Sequence, residues 1–131
     1  MSTDSPPPRV IVIMRDRGPR ALLRAALDEA GYDAIGARTM GEALQSPVAE
    51  PDRGAVRLVI VDQRTAIDGN GLLVELLGRH RHAVALLIAS STGAAPAGPW
   101  RQVLRRPVRI GEIVAAARAL VDPAAPAPGG E

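Results

Sequence analysis

The segment RLVIVD, Arg57–Asp62, decides the fold. Its heart, Leu58–Val61, is four aliphatic residues in a row, and three of them are β-branched. A strand Val56–Val61 of this kind suits a sheet buried on both faces, which is the mark of parallel sheets layered with helices. Asp62 follows at once, so a carboxylate stands at the carboxyl end of that strand. Two further stretches read the same way: VIVIM at Val10–Met14 and AVALLIA at Ala83–Ala89. Tyr32–Ala37 and the short Gln102–Leu104 complete a set of five strands.

Helices fill the intervals. Pro19 suits the start of a helix, Leu22, Leu23, Ala26, Leu27 and Ala30 recur at helical spacing, and Gly31 ends it. Met40–Gln45 predicts a short helix with Ala43 and Leu44 inward, and Leu72, Leu73, Leu76 and Leu77 mark another. Ile110, Ile113, Val114, Ala117, Leu120 and Val121 form an amphipathic stripe. Pro47–Gly54 reads as a loop and AIDGNG, Ala66–Gly71, as a turn. Strand–helix alternation predicts an α/β fold with a doubly wound five-stranded parallel sheet. The domain spans 9–122, after a disordered leader 1–8 and before a flexible Pro/Ala/Gly tail 123–131.

Composition narrows the function. The net charge is +2 and the pI about 10.3, because all sixteen basic residues are Arg and none is Lys. These arginines are scattered, which reads as solvated surface charge and not as a nucleic-acid face. Tyr32 and Trp100 are the only aromatics, too few for a base-stacking platform. There is no Cys. No apolar run approaches the roughly twenty residues that span a bilayer. The expected location is cytoplasmic, with neither membrane nor nucleic acid as partner.

In doubly wound sheets the working site lies at the carboxyl ends of the strands. Met14–Asp16, Asp62 and Ser90 fall at such ends. Asp62 reads either as a nucleophile or metal ligand, or as a loop residue bonding nearby amides. Asp16 reads as a second oxygen ligand for a divalent cation, or as a helix-start residue opposite Arg17 and Arg20. Arg15 reads as a partner for Asp62, as a charge standing in for a metal, or as a solvent-facing side chain beside a buried Met14. Asp68 reads as a further member of an acidic cluster or as a turn residue, and His80 and His82 as a surface turn. SSTG at Ser90–Gly93 lacks the spacing of a phosphate loop, and no Gly-x-Gly-x-x-Gly or Gly-x-Ser-x-Gly motif is present.

From about Arg9 to Val121 the chain resembles the receiver domain of bacterial response regulators, CheY-like proteins. The resemblance rests on LLRAALDEAGYDAIGARTMGEAL (Leu22–Leu44), RLVIVD (Arg57–Asp62) and VLRRPVRIGEIVAAARALV (Val103–Val121). It implies a flavodoxin-like strand order 2-1-3-4-5. It implies Asp62 as phosphoacceptor, Arg106 before Pro107 in place of the family's lysine, and Ser90 or Ser91 as the hydroxyl residue. It also exposes departures. Met14 and Arg15 stand where the family carries the acidic pair that holds magnesium, and Val103 where it carries an aromatic switch. The segment Ser91–Trp100, with Pro96 and Pro99, is a poor source for the helix between the fourth and fifth strands, which should be short or missing.

The resemblance therefore implies an atypical receiver, a pseudo-receiver, rather than an enzyme. It would act in two-component signal transduction by binding a protein, either a histidine kinase or a downstream signalling protein. Phosphorylation at Asp62 would be absent or inefficient, and magnesium weakly held by Asp16 and Asp62, with no other cofactor. The missing helix would leave an apolar face for that partner or for a homodimer. One alternative is a functional phosphoacceptor. Another is a small flavodoxin-like enzyme binding a nucleotide or flavin.

Overall fold

The computed structural model describes residues 5–69 and 71–124. The chain runs β1 (Arg9–Ile13), α1 (Arg17–Glu29), β2 (Asp33–Ala37), α2 (Met40–Ala43), β3 (Val56–Asp62), α3 (Gln63–Asp68), α4 (Leu72–Arg79), β4 (Val84–Ala89), β5 (Trp100–Arg105) and α5 (Ile110–Leu120). All neighbouring strands pair in parallel, in the order β2-β1-β3-β4-β5. This is the expected flavodoxin-like α/β sheet. Residues 1–4 of the expected leader and 125–131 of the expected tail lie outside the described residues. Pro8, just before β1, is buried, and its carbonyl accepts from the Asp33 N–H at 3.0 Å.

Alternation along each strand builds two cores. In β1, Val10 and Val12 face α1 and α5, where they meet Leu23, Leu27, Ile113 and Ala117. Ile11 and Ile13 face the other way, against Met40 and Ala43 of α2 and Leu73 and Leu76 of α4. The central strands β1, β3 and β4 are almost wholly buried, as their continuous aliphatic runs require. Tyr32 sits under the first core, its hydroxyl donating to the Val121 carbonyl. Burial raises its pKa.

The crossover from β4 to β5 contains no helix; residues 90–99 are bends and irregular chain. Two elements differ from expectation. The AIDGNG turn begins inside a helix, α3, which starts on Asp62 and stops at Gly69. A Cβ at Gly69 would run into the Met40 side chain, and Gly71 begins α4 from a left-handed φ of 87°. β5 is longer than the apolar core of its sequence, since Trp100 and Arg105 also pair with β4.

One charged side chain, Arg9, departs from the reading of the arginines as surface groups. Arg9 is fully buried at the start of β1. Its guanidinium donates to the carbonyls of Pro47 at 3.0 Å, Val48 at 2.9 Å and Gly54, with Glu50 3.6 Å away. It holds the 47–54 loop by satisfying carbonyls that would otherwise face the core. Arg53 and Asp33 tie the same loop to β2 through paired hydrogen bonds of 2.8 and 2.9 Å. His80, expected on the surface, is buried at the end of α4, and its Nε2 has no hydrogen-bond partner. Burial, then the charges of Arg9 and Arg79, hold its imidazole below the ordinary histidine range.

Arg9→Ala is expected to lower stability by about 3–5 kcal/mol, because it leaves the Pro47, Val48 and Gly54 carbonyls without their donor. Urea unfolding measures this. His80 makes stability depend on pH in a defined direction. The folded chain keeps the imidazole neutral, whereas the unfolded chain takes up a proton near about pH 6.5. Stability is then complete above that pH and declines as pH falls from it towards the depressed folded pKa. His80→Leu should flatten the difference in unfolding free energy between neutral and mildly acidic buffer; an unchanged slope would rule His80 out as its source.

Candidate functional site

Asp62 ends β3 and is the N-cap of α3. Its Oδ1 accepts the Thr65 N–H at 3.0 Å, which gives one of the unpaired amides of the first helical turn a partner. Asp62 is 7% exposed, while its Oδ2 lies 3.9 Å from Nη2 of Arg106. Arg106 follows β5, and its own N–H donates to the Ala89 carbonyl at 3.0 Å. The sheet thus brings residues far apart in sequence onto one carboxylate.

A cavity of about 250 Å³ opens over this pair, bounded by Met14, Asp16, Asp62, Arg64, Ser90 and Arg106, with Pro19 and Gln63 completing it. Gln63 Oε1 accepts the Ser90 N–H at 2.9 Å and so binds α3 to the end of β4. The Ser90 carbonyl accepts from Arg105 at 3.1 Å. Ser90 lines the cavity; Ser91 is exposed outside it.

Asp16 occupies the N-cap position of α1 without a side-chain capping bond, and its side of the cavity faces Asp62 across Met14. Met14 is buried, and its carbonyl accepts from Arg20 at 2.8 Å. Arg15 does not join Asp62. Its guanidinium lies 3.6 Å from Asp68, and both side chains are more than half exposed. The helical course of α3 explains this, because it carries Asp68 to the side of the sheet that Arg15 faces. Val103 sits in the middle of β5, 38% exposed.

Sequence reasoning missed Gln63 as the bridge to β4, Arg64 as a cavity wall and Arg20 as the clasp on the β1 carbonyl. Asp62 three residues before Thr65 is a helix-start pattern and is the one signal that was available for α3.

A magnesium ion takes near-octahedral oxygen ligands, with one or two carboxylates among them. The donors present fit it poorly. One oxygen of Asp62 caps α3, the other faces a guanidinium, and Met14 offers no anionic oxygen. Among the described residues no group of three His, Cys, Asp or Glu could hold a metal ion.

No protein-family model and no curated protein matches the sequence. Solved structures do match the fold. A sensor protein from Polaromonas sp. JS666 superposes with TM-score 0.69 at 19% identity, over 92% of this chain and 100% of that one. The non-phosphorylated HemR receiver domain from Leptospira biflexa gives 0.66 at 22% identity, over 91% and 98%. A response regulator from Burkholderia pseudomallei with a phosphorylated aspartic acid gives 0.65 at 21% identity, over 89% of this chain and 68% of that one. The fold is that of response-regulator receiver domains.

Asp62→Ala should cost about 1 kcal/mol through loss of the α3 cap, whereas Asp62→Asn, which keeps a side-chain acceptor, should cost a few tenths. Thermal and urea denaturation of the two variants check this. Equal losses would mean that the charge facing Arg106, and not the cap, is what Asp62 contributes.

Proposed function

We propose that this chain is an atypical receiver-type signalling domain that works by binding a partner protein, with phosphoryl transfer to Asp62 absent or inefficient. The partner would be a histidine kinase or a downstream signalling protein. The observation that carries the reading is the engagement of Asp62 itself. Its carboxylate is divided between the Thr65 amide and Arg106, and the neighbouring positions that would have to supply further anionic oxygens are Met14 and an Arg15 turned to Asp68.

Phosphoryl transfer depends on positioning and on neutralising charge as it develops, largely through a divalent metal. Arg106 can neutralise part of that charge, but it is half exposed and 3.9 Å from Oδ2. A guanidinium also cannot gather phosphate and carboxylate oxygens into an octahedron. Asp16 is the one further carboxylate on the cavity wall, which leaves the site short of ligands for that chemistry. That favours a surface recognised by another protein.

A second reading, a true phosphoacceptor, draws on one feature. Among the described residues Oδ2 accepts no hydrogen bond, Arg106 standing 3.9 Å away, and Asp62 borders an open cavity. In that case Oδ2 would attack phosphorus, forming a P–O bond as the donor's bond to phosphorus breaks, the P–N bond of a kinase phosphohistidine or the P–O bond of acetyl phosphate.

Incubation with acetyl phosphate and magnesium, followed by intact-mass measurement, separates the two. No stoichiometric phosphoryl adduct is expected. A full adduct on the wild type, lost in Asp62→Asn, would overturn the phosphate-independent reading.

A further inference from the structure

The two faces of the sheet are finished differently. On one, α1 and α5 cover the strands from β2 to β5, and Leu104 packs into that core. On the other, α2 and α4 cover the side nearer β2. Because the β4–β5 crossover is not helical, no helix among the described residues lies over that side of β5. Val103 pairs in register with Leu87, whose neighbours Leu86 and Ile88 point into the α5 core, so Val103 faces the uncovered side. It is 38% exposed there.

Beside it lies a cavity of about 380 Å³ between α3, α4 and the end of the crossover. Ile67, Leu73, Val74, Pro96 and Trp100 are among its walls. Ile67 and Val74 are 56% and 65% exposed, large values for aliphatic side chains on facing helices. Trp100 is pinned by its indole N–H, which donates to the Pro96 carbonyl at 2.9 Å, so this wall is formed before anything binds.

The β5 rim of this surface is basic. From residue 76 to residue 111 the chain contains Arg79, Arg81, Arg101, Arg105, Arg106 and Arg109 and no Asp or Glu. Arg101 and Arg105 are exposed on β5, and Arg64 is exposed on α3. Glu75 on α4 is the carboxylate closest in sequence to the Val74 wall, and Asp68 is drawn away to Arg15. A second copy of this chain is a poor match. Its longest helix, α1, itself carries Arg17, Arg20 and Arg24 against Asp28 and Glu29.

We propose that this surface receives an acidic amphipathic helix from a partner protein, laid where the crossover helix is missing. Apolar side chains spaced i, i+3/i+4 and i+7 would enter the cavity between Ile67, Val74 and Trp100. Carboxylates on the flank would meet Arg101, Arg105 and Arg64. The proposal rests on the reading of the chain as a protein-binding module and assigns that binding a place and a partner chemistry.

Trp100 is the only tryptophan, so its emission reports on the cavity directly. The probe is a synthetic peptide of about five helical turns, with Leu at the spacing above and Glu on the flanks. A second peptide of the same composition has the order scrambled. The patterned peptide should shift Trp100 emission saturably and gain helicity by circular dichroism. The scrambled one should do neither.

Ile67→Asp and Val74→Asp, both at exposed positions, should each weaken binding at least tenfold. Arg101→Glu should weaken it and reduce its salt dependence. The proposal is overturned by no saturable shift up to millimolar peptide, by equal response to the scrambled peptide, or by unchanged affinity in the Asp variants. A concentration-dependent Trp100 shift without peptide would assign the surface to self-association and overturn it as well. The phosphodonor experiment bears on the signalling reading alone, so the two can fail separately.

Discussion

The carboxylate of Asp62 is shared between two demands, and much of the molecule's functional end follows from how it is divided. One oxygen caps α3 through Thr65. The other faces the guanidinium of Arg106, delivered by the end of β5. Because the cap starts a helix immediately after β3, Gln63 is placed to bond β4 and Arg64 to wall the cavity. The same helix carries Asp68 to Arg15 and Ile67 to the opposite cavity. A residue read first as a reactive group is thus also the geometric origin of its surroundings.

The second constraint is the burial of charge at the other end of the sheet. Arg9 begins β1 with no access to water. It is tolerated because the 47–54 loop turns carbonyls towards it and Glu50 stands near. That arrangement closes the amino-terminal edge of the sheet and places a positive charge near His80. The two edges therefore differ in kind. One is a polar clasp, and the other is an open rim where Asp62 and Asp16 share a cavity with Arg64 and Arg106.

The uncovered side of β5 joins these parts into a functional picture. Under the proposed reading, a receiver-like scaffold with few oxygen ligands beside Asp62 and no helix in its β4–β5 crossover would work without a phosphate-driven relay. It retains an arginine-rimmed apolar surface with a preformed wall. Charge steers encounters and selects partners, and apolar anchors hold them.

Much of this was legible in the chain, for reasons that particular residues make plain. Val10–Met14, Leu58–Val61 and Ala83–Ala89 could only be strands buried on both faces, and their alternation with helical stripes left one sheet class. The prolines at 96 and 99 were enough to remove a helix. Such features are local, since they depend on side-chain size, branching and backbone freedom. What stayed hidden depended on partners distant in sequence. α3 is a six-residue segment that runs into Gly69, and its first turn is capped by the Asp62 side chain at the end of β3. Trp100 and Arg105 joined β5 because β4 offered a ladder to pair with. Arg9 is buried because a loop some forty residues away supplies its acceptors. Asp62 and Arg106 meet only because the parallel sheet sets the ends of β3 and β5 on one edge. Sequence by itself determined which segments seek burial; tertiary structure decided which charges they bury, pair or leave open, since those energies depend on distance and on access to water.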